Sequence, residues 1–201
     1  MLKHFVQLSI AAALLAAAVP LAQAGPPLIC HPYDIGAAAS LPWGGGGSGW
    51  DNPDPKYDVK RLAADTLALL DTNSLVLVRM ETLRRAVIYG ANNHDQARAL
   101  LSGLHARTSG STAFANFDYG YLLASFSQMT WRYKEDLTGG VDGYDYVKKA
   151  LAIQPDSAEM HFAAAIIASS PPRPADREEH LRKARAATAD TLLSRNMATH
   201  F

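Results

Sequence analysis

Between Pro55 and Pro155 the chain has no proline. A proline inside a helix deletes one backbone hydrogen bond and drives its ring into an earlier carbonyl, so this stretch is open to helices as the rest of the chain is not. Within it apolar residues recur at helical spacing. Val59, Leu62, Ala63, Thr66, Leu67 and Leu70 make a first stripe, and residues 71–74 read as a turn offering N-caps to the next helix. Val76, Met80, Leu83 and Val87 make a second stripe, with Glu81, Arg84 and Arg85 off it. Asn92 and Asn93 close that helix and cap a third, which turns Ala97, Leu100, Leu101 and Leu104 inward. A long helix follows, from about Phe114 to Tyr133. It carries one stripe of Phe114, Phe117 and Tyr121 and another of Tyr119, Leu122, Phe126, Met129 and Tyr133, so it is predicted to lie between neighbours. Further helices are expected over 144–153, from a cap at Asp156 or Ser157 through Ile167, over 176–187 and over 191–197. The prediction is an all-α fold, and a 48% hydrophobic composition is enough to pack it.

The segment before the proline-free stretch is of another kind. Residues 25–56 hold seven Gly and six Pro, a density of breakers that no regular helix survives. They also hold His31, Tyr33, Ile35, Leu41, Trp43 and Trp50, and a plain linker has no use for tryptophans. The expectation is an extended arm, 25–56, docked on a helical domain, 57–201. Residues 25–58 carry four Asp and one Lys, whereas residues 79–107 carry five Arg against one Glu and one Asp. An acidic arm lying on an Arg-bearing helical face follows from that contrast.

Residues 1–24 have the layout of a secretory signal peptide. A short basic start with Lys3 and His4 leads into an apolar run over 5–19, Pro20 breaks it, and Ala22 and Ala24 supply the small residues a signal peptidase accepts. The run is short for a membrane span. No later stretch reaches that length, so the expectation is an exported chain, periplasmic or secreted, with no transmembrane segment after cleavage. Cys30 is not a lipidation site, because Ile29 stands where a small residue is needed.

Residues 146–158, Tyr-Val-Lys-Lys-Ala-Leu-Ala-Ile-Gln-Pro-Asp-Ser-Ala, resemble the second helix of a tetratricopeptide repeat running through its proline into the next repeat. Ala150 and Pro155 fill the family's close-packing and terminating places, with Phe162 and Ala163 following. Residues 80–107 look more faintly similar. First helices starting near 75, 113 and 156 do not keep a 34-residue period, and the first-helix Trp and Gly of the signature are missing. The resemblance implies an irregular array of α-α hairpins whose curved surface binds a protein or peptide and performs no catalysis. No ligand-binding residue of the family carries over, because the matched positions are packing ones; the groove expected here is lined by the first helices, near Arg84, Phe114 and Tyr121. Trp43 joins the partner-binding set, with the arm occupying or edging the groove. The start of the arm, 29–36, also looks like that of uncharacterised exported bacterial proteins.

Reactive constellations are few. Equal numbers of basic and acidic residues, 19 each, argue against a nucleic-acid footprint. Cys30-His31 has the end of a c-type haem motif, but Pro27 stands where the first Cys belongs. Cys30, His31 and Asp34 offer metal donors that His94 or His161 would have to complete, which makes a metal or thiol protein the alternative reading. The run from Gly44 to Gly49 lacks the Lys of a phosphate-binding loop, and Ser48 lacks the final Gly of a nucleophile elbow. The remaining histidines are scattered, and the carboxylate pairs are sequence neighbours that diverge on a helix. No cofactor is expected beyond a metal at Cys30 and His31, and a helical enzyme assembled from distant residues stays open as a third reading.

Overall fold

The computed structural model of the chain describes residues 25–44, 49–186 and 191–201. Residues 1–24, on which the signal-peptide expectation with Ala22 and Ala24 falls, and Ser48 lie outside them. Among the described residues there is no β-strand, only isolated bridges of Trp43 with Pro53 and of Ser169 with Pro172. The helices are α1 (Leu62–Thr72), α2 (Val76–Gly90), α3 (His94–Arg107), α4 (Ala113–Ser127), α5 (Thr130–Tyr133), α6 (Gly143–Ile153), α7 (Ala158–Ile167), α8 (Pro174–Arg185) and α9 (Thr191–His200). A short 3-10 turn over Val59–Arg61 leads into α1. The predicted all-α class is what the chain adopts.

Local chemistry starts most of these helices. Asn93, Thr112, Asp142 and Ser157 each accept a hydrogen bond from a first-turn amide of α3, α4, α6 and α7. Pro174 opens α8, where its missing N–H is no loss. Helix α2 is capped from a distance. Residues 71–74 provide no cap. The Glu159 carboxylate of α7 accepts from Val76 N at 2.7 Å and from Leu77 N at 3.3 Å instead. An anion on these first amides satisfies orphan donors and opposes the helix dipole.

The long helix expected over 114–133 is two. Helix α4 ends at Ser127, and α5 restarts at Thr130 and closes on Lys134 in the left-handed conformation. The break puts Gln128 where its side-chain oxygen accepts from Leu28 N at 2.9 Å. Helices α2, α4 and α7 touch one another, with α3, α6 and α8 packed beside them as hairpin partners. Helix α4 is buried on every side from Ala115 to Phe126, as its two stripes require.

The α4–α6 crossing is backbone against backbone. A Cβ on Gly120 would lie 2.6 Å from Gly143 O and 2.9 Å from Val147 N, and one on Gly143 would lie 2.7 Å from Ala124 N. Neither contact can yield, because the obstacle is main chain. At Gly103 of α3, by contrast, the nearest atom is the tip of Leu67, at 3.0 Å. Alanine in an exposed helix is normally worth about 1 kcal/mol over glycine. Gly120→Ala should instead lower stability by about 1–3 kcal/mol or more through overpacking. Gly103→Ala should leave the urea midpoint unchanged or raise it.

Candidate functional site

The arm is the organising feature of the site. Its apolar residues Leu28, Ile29, Tyr33, Ile35 and Leu41 are buried in the same core as the helices. No helix or strand ladder satisfies the main chain here, so its polar groups need other partners. Side chains of the helical body supply them. Arg84 Nη1 donates to Ile29 O and to Trp50 O, both at 3.0 Å. Arg85 Nη1 donates to Leu41 O at 2.6 Å. Tyr33 N donates to Glu81 Oε2 at 3.1 Å, and the hydroxyls of Ser40 and Thr82 meet at 2.9 Å. Tyr89 donates to Pro42 O at 2.7 Å and accepts from Asp54 N at 2.8 Å.

Behind these contacts is a buried charge cluster. The Arg84 fork binds both oxygens of Glu81, at 2.7 and 2.9 Å, and Arg85 Nε reaches Oε1 at 2.7 Å. Burial raises the Glu81 pKa, but the two guanidiniums outweigh it and hold the carboxyl below its ordinary range. One face of α2 is therefore charged and yet covered, because its charges close on one another before they reach the arm.

Tyr33 fills the centre. Tyr121 of α4 donates to its hydroxyl at 2.9 Å. Its ring stacks on His200 of α9 at 4.7 Å and meets Phe162 of α7 edge-on at 6.2 Å. Asp34 ties the arm to α9, accepting from Arg195 Nε at 2.7 Å while Asn196 holds Asp34 N and Asp34 O at 2.9 and 2.8 Å.

The predicted site residues fall into three places. Arg84 and Tyr121 come together under the arm, both at 0% exposure, so no partner reaches them while the arm is seated. Trp43 is half-buried over them, its ring 5.0 Å from the Arg84 guanidinium and 5.6 Å from that of Arg85. Phe114 lies apart, half-buried at the start of α4 beneath Arg79, which forms a buried pair with Asp118 at 2.8 Å. The arm does lie on an Arg-bearing face, but the arginines bind its carbonyls. Its carboxylates pair elsewhere, Asp51 with Arg132 and Asp34 with Arg195.

Cys30 and His31 lie next to each other on the arm, each under the influence of Arg84. Cys30 is a free, half-buried thiol whose pKa burial raises, with Arg84 opposing and Asp51 adding to the rise. Burial and then Arg84 lower the His31 pKa. Both groups are pushed towards their neutral forms, and the thiolate is the form that attacks and ligates. His94 is held by Glu135 at 2.6 Å and His161 by its own partners, so neither completes a donor set with them. Among the described residues no group of three or more His, Cys, Asp or Glu converges to hold a metal ion.

One cluster is invisible to sequence reading, because its members sit on different helices. His161 of α7 and His180 of α8 face each other with their Nδ1 atoms 2.8 Å apart. No protein-family model matches this chain, and neither does a curated protein or a solved structure.

Two outcomes follow from this geometry. Glu81→Leu strands the buried Arg84 charge and should cost about 3–5 kcal/mol in urea unfolding, whereas Arg98→Ala, on an exposed pair, should cost less than about 1 kcal/mol. Burial is the main cause that holds His161, His180 and His200 below the ordinary imidazole pKa of 6.5. The unfolded chain therefore binds more protons than the folded one once the pH drops below that value. Stability should be full above about pH 7 and fall as the pH drops through 6.5, by up to about 1.4 kcal/mol per pH unit for each histidine.

Proposed function

We propose that this chain is an exported, non-enzymatic scaffold that binds a protein or peptide partner on its helical surface, with its own arm occupying that surface in the resting state. The observation that carries the reading is the way α2 and α4 hold the arm. Arg84, Arg85, Glu81 and Gln128 bind main-chain carbonyls and amides of a segment that forms neither helix nor strand. Such contacts do not depend on the side chains of the segment, so another extended chain offers the same groups.

A tetratricopeptide-like array is the form of scaffold we favour. First helices starting at Val76, Ala113 and Ala158, a fully buried Ala150 on α6 and Pro155 in the turn before α7 support it. No helix among the described residues is long and apolar enough to cross a membrane, which is compatible with a chain released after export.

Hydrogen exchange on the full chain tests the proposal. Amides of 28–41 should exchange through an opening that leaves α4 protected, at least tenfold faster than α4. Addition of the exported protein fraction of the native cell should deprotect the arm and keep α2 protected. Arm and α4 exchanging only together, by global unfolding, overturns the displaceable arm. An arm unchanged by that fraction overturns the partner.

A further inference from the structure

The histidine pair of α7 and α8 belongs to a chain of hydrogen bonds whose protons can be assigned one by one. His161 Nε2 lies 2.8 Å from Pro155 O, in the turn between α6 and α7. A carbonyl only accepts, so this nitrogen carries hydrogen. With His161 neutral its Nδ1 is bare, and His180 Nδ1, 2.8 Å away, must donate to it. The Nε2 of a neutral His180 is then bare and accepts from the Tyr144 hydroxyl of α6, again at 2.8 Å. The neutral chain runs Tyr144 to His180 to His161 to Pro155. Both rings are buried, at 3% and 9% exposure.

One added proton reverses the Tyr144 end of this chain without breaking it. Both rings then carry hydrogen on Nε2, and their two Nδ1 atoms share one hydrogen and one positive charge across 2.8 Å. His180 Nε2 now donates to the Tyr144 oxygen, and His161 Nε2 keeps Pro155 O. Tyr144 then turns its hydroxyl hydrogen towards Asp176, the carboxylate whose charge acts on it. Every donor keeps an acceptor. A second proton has no such solution, because it sets two N–H groups head to head between α7 and α8.

We propose that Tyr144, His180 and His161 form a one-proton relay that registers acidification by reversing its hydrogen-bond direction, and that a second proton separates α8 from α7. The relay has an entry. His161 lines a surface hollow of about 460 Å³ with Pro155, Asp156, Ala158, Arg182 and Lys183. The charges around it come from every packed element. Glu179 and Lys183 of α8 and Asp156 of the turn act on His161, and Asp176 acts on His180. Arg173 and Lys148 lie 4.8 and 5.2 Å from the Tyr144 ring centre. This relay is independent of the arm and of any partner on it.

Ring nitrogen and proton correlation spectra of the full chain, taken through an acid titration, decide the matter. At pH 7.5 His180 should carry its hydrogen on Nδ1 and His161 on Nε2. Acidification should first add hydrogen to His180 Nε2, with one positive charge shared by the two rings. A second step at least one pH unit lower should come with loss of the α7–α8 contacts. Asp176→Asn, a change at an exposed residue, should leave the pH 7.5 spectrum as it is and abolish the His180 switch. Three results overturn the relay: both rings on Nε2 at pH 7.5, a single shared midpoint with α7 and α8 still packed, or a switch that survives in Asp176→Asn.

Discussion

The Glu81 carboxylate has almost no water, and the rest of the structure is arranged around how it is neutralised. Arg84 and Arg85, one turn further along α2, close on it from two sides. Alone, that triad would be costly, since taking three charges out of water is offset only when every remaining polar group finds a partner. The remaining groups find the arm. Guanidinium hydrogens left over from Glu81 go to Ile29, Leu41 and Trp50 carbonyls, and the carboxylate takes the Tyr33 amide. Arm and charge cluster thus solve each other's problem. The arm has no ladder of its own, and the cluster has no solvent.

The second constraint is distance. Helices α4 and α6 approach until glycine backbones touch, with no room for a methyl group at either Gly120 or Gly143. So close a crossing leaves little room between the two helices, and Tyr121 and Phe126 of α4 point elsewhere. Tyr121 points to the arm, Phe126 packs edge-on against Tyr133, and Tyr119 meets Tyr146 of α6 edge-on. A helix that is apolar on all sides thereby reaches several neighbours at once.

How much of this was legible follows from how local each cause is. The proline-free stretch, the apolar stripes and the caps Asn93 and Ser157 act within one or two turns, and the helices start close to where they imply. The cap of α2 comes from Glu159, far along the chain, and nothing near Val76 announces it. The break after Ser127 was also hidden, because residues 114–133 keep their apolar period across it; it is Leu28 that engages Gln128. At the site, the arm and its Arg-bearing face could be read from composition, but not that Arg84 faces inward. An arginine off the apolar stripe reads as solvated until a second segment covers it. The facing of His161 and His180 depends on how α7 meets α8, which no single-helix period encodes.

The bond between Asp34 and Asn196 joins positions 162 residues apart. A chain is synthesised from its N-terminus, so the arm exists before any surface that can receive it. Leu28, Ile29, Tyr33 and Leu41 are made before α2, α4 and α7 and wait for them. His200, the ring on which Tyr33 stacks, is added later still. Assembly of the centre is therefore a closing event, set by the slowest and most distant contact rather than by the helices, which need only their own neighbours to form. Until then apolar side chains of the arm remain uncovered, and whatever shields them in that interval shares in the folding of this protein.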